Sequence, residues 1–380
     1  MTVDAQSTDR YKAVMTDKVR SWPFMMIYLL PAAVFLGAYW GGINTLTALI
    51  WAFVWIPIMD FLFGLDTKNP EREIEKDLTD SLSFRMVTWG CVPALYATLI
   101  FGAWMVTNGT MSVWESIGLT ISVGITGGVM GINVAHELIH RDVKAERLLG
   151  RMMLWTVNYT HWAIEHVYGH HAQVATPNDP ATAKRGETFY AFWPRTVKGT
   201  WLSAWHLEKR RLGRMKKPVW SHHNQILRGV GMQILVAAGL TAAFGPWALA
   251  FFIGQSIVAF SLLEVVNYLE HYGLERRQLD NGKYEQVTPI HSWNAANRIT
   301  NLFLFHLQRH SDHHANAGRR YQVLRHFEHS PQLPTGYAGM VLLALVPPLW
   351  FKVMNPKVDH YRNLVESGEV QRIAEQETAA

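Results

Sequence analysis

The sequence predicts an all-α integral membrane protein with six transmembrane helices and a helical cap on one side of the membrane. The 380 residues contain long apolar runs that are nearly free of charge and are separated by polar segments. Most of these runs approach the roughly 20 residues that an α-helix needs to cross the hydrocarbon core. The predicted spans are residues 22–40, 46–63, 84–106, 113–134, 229–244 and 247–269.

The distribution of basic residues predicts the orientation of these spans. None of the 35 Lys and Arg residues lies within 21–67, 86–140 or 229–275. Because the connections on one side then lack positive charge, the positive-inside rule places both termini and the polar regions in the cytoplasm. The net charge of +5 suits a cytoplasmic face against anionic lipids, and we do not expect nucleic-acid binding.

The chain is expected to divide into three parts. Residues 1–20 form a polar cytoplasmic arm, predicted to be a surface helix or disordered. The membrane domain with its cytoplasmic cap covers 21–334, and 335–380 are predicted to form cytoplasmic or interfacial helices. Pro347-Pro348 interrupts the last apolar run, and a seventh span would move the C-terminus to the outer side.

Two spans contain polar or small residues that call for an explanation. Asp60 lies near the cytoplasmic end of the second span, where we expect a structural role such as capping. Glycines at 124, 127, 128 and 131 in the fourth span predict close helix packing. No strand precedes these glycines, which argues against a dinucleotide-binding loop.

Nine of the eighteen histidines form groups at the cytoplasmic span ends or just beyond them. A spacing of three or four residues places helical side chains on one face. The stretch L-Q-R-H-S-D-H-H-A, residues 307–315, is therefore predicted to hold three imidazoles in reach of a single metal site. The nine candidate ligands are His136, His140, His166, His170, His171, His271, His310, His313 and His314.

Nine imidazoles are too many for one ion, which favours two metal ions. Without metal, clustered rings would leave nitrogens unpaired or bring charged rings together, at a cost in free energy. The pattern His136-Glu137-x-x-His140 alone is typical of a zinc metalloprotease, but that interpretation leaves seven histidines unused. Imidazole binds iron, copper, nickel and zinc, so ligand type leaves the metal open, whereas a di-metal site with open positions favours oxygen chemistry.

Carboxylates stand beside the histidines at Glu137, Glu165, Glu270 and Asp312. A ligating histidine usually donates its second ring N–H to a carboxylate or carbonyl, so we expect these four to orient ligands, with direct ligation as the alternative. His161 precedes the second group closely and is a further candidate for an orienting role.

The histidine motifs resemble the integral-membrane di-iron desaturase and hydroxylase superfamily, and within it the bacterial membrane-bound alkane 1-monooxygenases of the AlkB type. The superfamily patterns H-x3-H, H-x2,3-H-H and H-x2-H-H are all present. The stretches H-E-L-I-H-R, E-H-x-x-G-H-H followed by V-A-T-P-x-D-P-A-T-A, N-Y-x-E-H-Y-G and L-Q-R-H-S-D-H-H are similar to the alkane-hydroxylase branch. The resemblance covers roughly residues 46–334.

The resemblance implies hydroxylation of the terminal methyl of a medium-chain n-alkane to a 1-alkanol. The reaction would use O2, two non-haem iron ions held by the nine histidines, and electrons from rubredoxin, itself reduced by a rubredoxin reductase. The implied location is the bacterial inner membrane, with termini and active site in the cytoplasm. Alternatives are a related hydroxylase or desaturase acting on aryl-methyl or fatty-acyl substrates and, more remotely, a divalent-metal transporter.

An alkane has no polar group, so it must be held by shape in an apolar tunnel between the spans. Trp55 in the second span is our candidate for lining that tunnel, with a lipid-facing or packing role as the alternative. Because Cys91 is the only cysteine, the chain holds no iron–sulfur centre of its own and electrons must come from a partner. Basic residues predicted to dock the donor are Arg210, Arg211, Arg214, Lys216, Lys217, Arg319 and Arg320. The alternative is that the same charges anchor the protein at the membrane surface.

Overall fold

The computed structural model describes residues 20–368 and is helical, with no strand in that range. The predicted arm thus lies outside the described residues, except for Arg20. In chain order the helices begin with α1 (Trp22–Trp40), α2 (Gly42–Phe63), α3 (Arg72–Asp80), α4 (Leu82–Thr107), α5 (Val113–Ile139), α6 (Lys144–Trp155) and α7 (162–173). They continue with α8 (Phe189–Arg214), α9 (Gln225–Phe244), α10 (Pro246–His271), α11 (Arg298–Phe303), α12 (His310–Ala315), α13 (Tyr337–Ala344) and α14 (Pro347–Glu366).

The six predicted spans are confirmed as helices long and apolar enough to cross a membrane: α1, α2, α4, α5, α9 and α10. Large apolar side chains on their outer faces are exposed, among them Phe61 at 88% and Ile234 at 62%, as a lipid-facing surface requires. Exposed Trp40, Trp114 and Trp247 stand at span ends, where indole rings suit the membrane–water interface.

The helix α10 lies at the centre of the bundle and packs against α4, α5, α8, α9 and α13. The glycines of α5 allow this close approach. A Cβ on Gly124 would lie 2.5 Å from Val258 Cβ, and one on Gly128 would lie 2.9 Å from Leu262 Cδ2. The prediction that these glycines serve helix packing is therefore confirmed.

Two spans extend beyond their predicted ends into the polar cap. The helix α5 continues to Ile139 and α10 continues to His271, so both carry candidate ligands in their last turns. The cap consists of the helices between the spans and after α10. Its short helix α11 is capped by Asp60, whose carboxylate accepts the backbone N–H groups of Ile299 and Thr300, each at 2.9 Å. The predicted capping role of Asp60 is confirmed.

Three π-helical segments interrupt the helices: Trp51–Trp55 in α2, Gly127–Ile132 in α5 and His166–His170 in α7. A π-turn inserts an extra residue and rotates the side chains that follow, which is why such turns frequently occur at functional sites. The first two segments supply walls of the cavity described below, and the third carries candidate ligands.

Candidate metal centre

The fold brings all nine predicted histidines together, in two groups. Each histidine offers one ring nitrogen as a ligand atom, and within each group these nitrogens all lie within 4.8 Å of one another. The first group contains His136, His140, His166, His171 and His313. The second group contains His170, His271, His310 and His314.

The π-turn in α7 divides the second histidine motif between the two groups. In an α-helix, His166 and His170 would share a face; in the π-turn, the residue five positions on takes that place. His166 Nε2 accordingly lies 3.1 Å from His171 Nε2, and His170 belongs to the other group. Gly169 in this turn leaves room for the buried Glu165 side chain, since a Cβ there would lie 2.6 Å from Glu165 Oε1.

The helix α12 also serves both groups, which corrects the expectation that its three histidines address a single metal site. His310 Nε2 lies 2.9 Å from His314 Nε2 and 3.2 Å from His271 Nε2. His313 Nε2 lies 3.0 Å from His171 Nε2, in the other group. The physical reason is that α12 lies between the groups, so side chains one position apart diverge toward different neighbours.

The chemistry of this donor set fits metal ions. Ring nitrogens 2.9–3.2 Å apart are spaced like neighbouring ligands of one ion, each about 2.1 Å from the metal. His136, His140 and His170 each have a buried Nε2 without a hydrogen-bond partner in the described part of the chain. Without a bound metal ion, burying ring nitrogens that lack a hydrogen-bond partner would cost free energy.

The histidines outside the spans are held in the neutral form that binds metal. Burial, followed by the charges of neighbouring histidines, lowers their pKa values well below the ordinary range. This holds for His140, His166, His171, His310, His313 and His314.

Two carboxylates contact the second ring nitrogen of a candidate ligand. Asp179 Oδ2 lies 2.9 Å from His170 Nδ1, and Glu270 Oε1 lies 3.3 Å from His310 Nδ1. The first contact is a hydrogen bond, which fixes the ring orientation and leaves Nε2 free for metal. The second is a close approach without hydrogen-bond geometry, so the predicted orienting role of Glu270 stays a prediction. Asp179 was missed by the sequence analysis. Its signal is the polar stretch T-P-N-D-P, which ends nine residues after the motif.

The other predicted carboxylates contact different partners. Glu137 pairs with Arg141 at 3.1 Å, and that arginine also donates to the backbone of Gly318 at 2.7 Å, joining the first histidine motif to the loop after α12. Asp312 accepts from Arg319 at 2.6 Å and from the backbone N–H of Arg325 at 2.9 Å. Glu137 and Asp312 therefore bind residues that surround the histidines, and neither binds an imidazole ring.

Glu165 and His161 are buried beside the centre. Burial, with the charges of Asp179 and Glu264, raises the pKa of Glu165 well above its ordinary value. The His161 ring packs edge-on against Tyr159 and Trp201, and among the described residues neither ring nitrogen has a hydrogen-bond partner. An orienting role for Glu165 or His161 thus stays a prediction.

An apolar cavity runs from between α2, α5 and α10 to the histidines. Its walls include Ile56, Val129 and Leu262 from these spans, with Phe303 from α11 and Val341 from α13. At its polar end it reaches the first group at His136 and His166 and the second group at His310. The cavity thus joins membrane-spanning helices to both metal-binding groups.

Trp55 is not one of the residues that line this cavity in the described chain. Its side chain is 51% exposed, whereas Ala52, Phe53 and Ile56 of the same helix do line it. A role for Trp55 in the tunnel stays a prediction.

The predicted docking residues form two separate patches. Arg210, Arg214, Lys216 and Lys217 are exposed at the end of α8, where Arg211 pairs with Glu208 at 2.6 Å. In the second patch, Arg319 and Arg320 form ion pairs with carboxylates of the same chain. Arg319 binds Asp312 at 2.6 Å, and Arg320 binds Glu146 at 2.9 Å with only 13% of its side chain exposed.

Comparison with known proteins agrees with this architecture. Residues 112–344 match the family model described as fatty acid desaturase. Alkane 1-monooxygenase 2 of Pseudomonas aeruginosa is 48% identical over 308 residues, covering 80% of this chain and 82% of the relative. Alkane 1-monooxygenase 2 of Alcanivorax borkumensis is 42% identical over 340 residues, 89% of each chain.

A more distant relative carries a different name. The xylene/toluene monooxygenase hydroxylase component of Pseudomonas putida is 30% identical over 346 residues, covering 87% of this chain and 88% of that protein. Taken with the matches above, these similarities show that the chain belongs to the fatty acid desaturase family of membrane proteins, in the branch of the bacterial membrane-bound alkane 1-monooxygenases.

Proposed function

We propose that the protein hydroxylates the terminal methyl of medium-chain n-alkanes, using O2, two iron ions and electrons from rubredoxin. The observation that carries this proposal is the cavity, whose walls are apolar along the spans and whose far end meets both histidine groups. An apolar substrate concentrates in the bilayer and can enter such a cavity without losing hydrogen bonds. Its terminal methyl is then the part that reaches the histidines.

Iron is the metal that accounts best for both ligands and chemistry. A group of five histidines exceeds the four ligands typical of structural zinc, and zinc has no redox chemistry. Hydroxylation consumes an alkane, one O2, two electrons and two protons, and yields a 1-alkanol and water. Bound iron would activate O2 for insertion of one oxygen atom into the C–H bond.

The protein's own residues position the ligands and the substrate, and they exclude water from the metal centre. The four-histidine group is entirely buried, and the five-histidine group is buried or half-buried. Asp179 orients His170, and Glu270 is predicted to orient His310. The apolar walls hold the alkane by shape, so cavity length decides which carbon reaches the centre.

Electrons must reach this buried site from a partner. We place the docking surface of rubredoxin on an exposed groove between α3 and the loop after α12, lined by Arg72, Lys76, Arg319, Arg325 and one carboxylate, Glu75, among others. Its floor is built on the ligand-bearing helix, because Arg319 and Asn316 both bind Asp312. Arg319 and Arg325 are paired with Asp312 and Glu75, so the exposed Arg72 and Lys76 are the groove cations that would meet an acidic donor.

In the cell we assign the protein to the bacterial inner membrane, with termini and histidines on the cytoplasmic side. The absence of basic residues from 21–67, 86–140 and 229–275 supports this orientation. It places the groove where a cytoplasmic electron donor can reach it.

A second candidate substrate class is an aryl-methyl compound, favoured by the 30% identity to a xylene/toluene monooxygenase component. Competition between n-octane, p-xylene and an acyl substrate, with product analysis, separates the possibilities. We expect 1-octanol as the dominant product. A dominant aryl alcohol or an unsaturated acyl product would assign the protein to a different substrate class.

A further inference from the structure

We propose that α13 and the start of α14, residues 337–351, form a re-entrant hairpin that inserts into the lipid leaflet nearest the histidines. The hairpin enters the membrane from the side of the polar cap, turns at Pro347-Pro348 and returns to the same side. Its partner is the acyl chains of that leaflet. The protein would then contact lipid through this hairpin as well as through its six spans.

The hairpin lies in an apolar stretch that cannot cross a membrane. Residues 330–351 contain no Asp, Glu, Lys or Arg. The helix α13 has eight residues, whereas a spanning helix needs roughly 20. Because the prolines then start a new helix, the stretch is too interrupted to span and is suited to a segment that enters and leaves on one side.

The position of α13 along α2 places it at membrane depth. A Cβ on Gly336, just before α13, would lie 2.7 Å from Oδ2 of Asp60, near the cap end of α2. The helix α13 then packs against both Ile56–Phe63 and the π-helical segment Trp51–Trp55. Eight residues of α-helix advance about 12 Å, so α13 reaches from the cap end of this span toward its middle.

The two sides of the hairpin have different surroundings. Ala338 and Val341 of α13 line the cavity. On its outer side, four large apolar side chains around the turn are 40–51% exposed: Leu342, Leu345, Val346 and Leu349. Clustered exposed apolar side chains mark an interaction surface. If lipid covers them, it lies against the helix whose other side forms the cavity wall.

The backbone of the turn is paired as a lipid environment requires. Lipid offers no hydrogen bonds, so a turn within it must satisfy its own N–H groups. The N–H groups of Leu345 and Val346 donate to Val341 and Leu343, and those of Leu349 and Trp350 both donate to Val346. Pro347 and Pro348, between these donors, have no N–H. No N–H group from 345 to 350 is therefore left for water.

A side chain from another helix also serves the turn. The Tyr190 hydroxyl, near the start of α8, donates to the Leu345 carbonyl at 2.8 Å. This bond satisfies a carbonyl that follows the end of α13 and ties the turn to the rest of the fold. The turn is thus held in place by the protein while its apolar side chains face outward.

Lipid fits this surface better than a protein partner does. The helix α13 packs against a span whose own outer side chains are apolar and exposed, among them Ile58 and Phe61. The exposed Lys352 is the first charged residue after the turn, and a long lysine side chain can extend to the headgroups while its stem stays in the apolar region. The surface therefore continues the lipid-facing side of α2 and ends at a cation.

The test measures the environment of the turn in the full-length protein in lipid nanodiscs. A nitroxide is attached to Leu345→Cys, and its collision rates with O2 and with a water-soluble nickel chelate are compared. Ile234→Cys, on the outer side of α9, is the lipid control, and Asp280→Cys, in an exposed cap loop, is the water control. Cys91 is buried, and wild type treated with the label measures any background reaction.

We expect the ratio of O2 to nickel collisions at Leu345→Cys to match the lipid control. It should exceed the water control by about tenfold, because hydrocarbon excludes a polar chelate. A ratio equal to that of Asp280→Cys would overturn the proposal, since the turn would then lie in water. Low collision rates with both reagents would also overturn it, because a protein surface would then cover the turn.

Leu349→Cys gives a second measurement from the start of α14. Thermal unfolding in the same nanodiscs checks the fold of each variant, and if Leu345→Cys unfolds, Leu349→Cys decides the outcome. The measurement needs neither substrate nor turnover. Its result is therefore independent of whether the protein hydroxylates alkanes.

Discussion

His170 Nδ1 lies 2.9 Å from Asp179 Oδ2, and both residues are buried. Asp179 also accepts hydrogen bonds from the Thr182 hydroxyl at 2.6 Å and from the backbone of Ala181 at 3.0 Å. The carboxylate is thus fixed by its own loop and in turn fixes the ring of a candidate ligand. This contact connects the loop after α7 to the four-histidine group.

Asp179→Asn is expected to weaken metal binding at the four-histidine group by about 10- to 100-fold. The amide keeps the shape but no longer offers a charged acceptor to His170 Nδ1. Chelator titration of the loaded protein measures this loss. Asp359→Asn serves as the control, because that carboxylate pairs with Arg185 on the exposed surface. Equal metal affinity in both variants would contradict an orienting role for Asp179.

The adjacent residues His313 and His314 are predicted to bind different ions. His314→Ala removes one of four ligands and should lower iron toward one per chain. His313→Ala removes one of five and should lower iron content less, while still reducing the rate. Elemental analysis of the two purified variants measures the difference. Full iron occupancy in His313→Ala would mean that His313 is not a ligand, and loss of both ions in either variant would point to one shared site.

The cavity wall predicts which substitutions change substrate length. Phe53→Ala enlarges the cavity, so turnover should shift toward longer alkanes by several-fold relative to octane. Trp55→Ala is the informative comparison, because the half-exposed Trp55 side chain lies outside the described lining. Product profiles from a mixture of C6 to C16 alkanes measure both variants. A shift caused by Trp55→Ala alone would place the tunnel on the other side of α2.

Charge reversal distinguishes the two candidate docking patches. Arg72→Glu combined with Lys76→Glu should lower kcat/KM for the donor by about tenfold at low salt, with a smaller salt dependence, because electrostatic steering is lost. The KM for octane should not change. Arg210→Glu combined with Lys217→Glu imposes the same charge change on the α8 patch. If only this second pair slows donor-dependent turnover, rubredoxin docks at the end of α8.

The sequence predicted the parts of the site that local patterns control. Long apolar runs produced all six spans, and a carboxylate at a span end correctly suggested that Asp60 caps a helix. The nine histidines converge as expected because four short motifs sit at or near the ends of α5, α7 and α10 and on α12. These features depend on composition and on spacing along one helix.

The features that were missed depend on how separate elements meet. Spacing assigned His166 to a pair with His170, and a π-turn instead pairs it with His171. Asp179 reaches His170 through a loop, and Tyr337 reaches the cavity from a helix that the histidine motifs do not include. No periodicity in the chain encodes these contacts, because they are set by tertiary packing.

The most direct measurement of the central claim combines metal analysis with product analysis of the purified wild-type protein. We predict two iron ions per chain and rubredoxin-dependent conversion of n-octane to 1-octanol with consumption of O2. One zinc ion per chain and no 1-octanol would contradict the account.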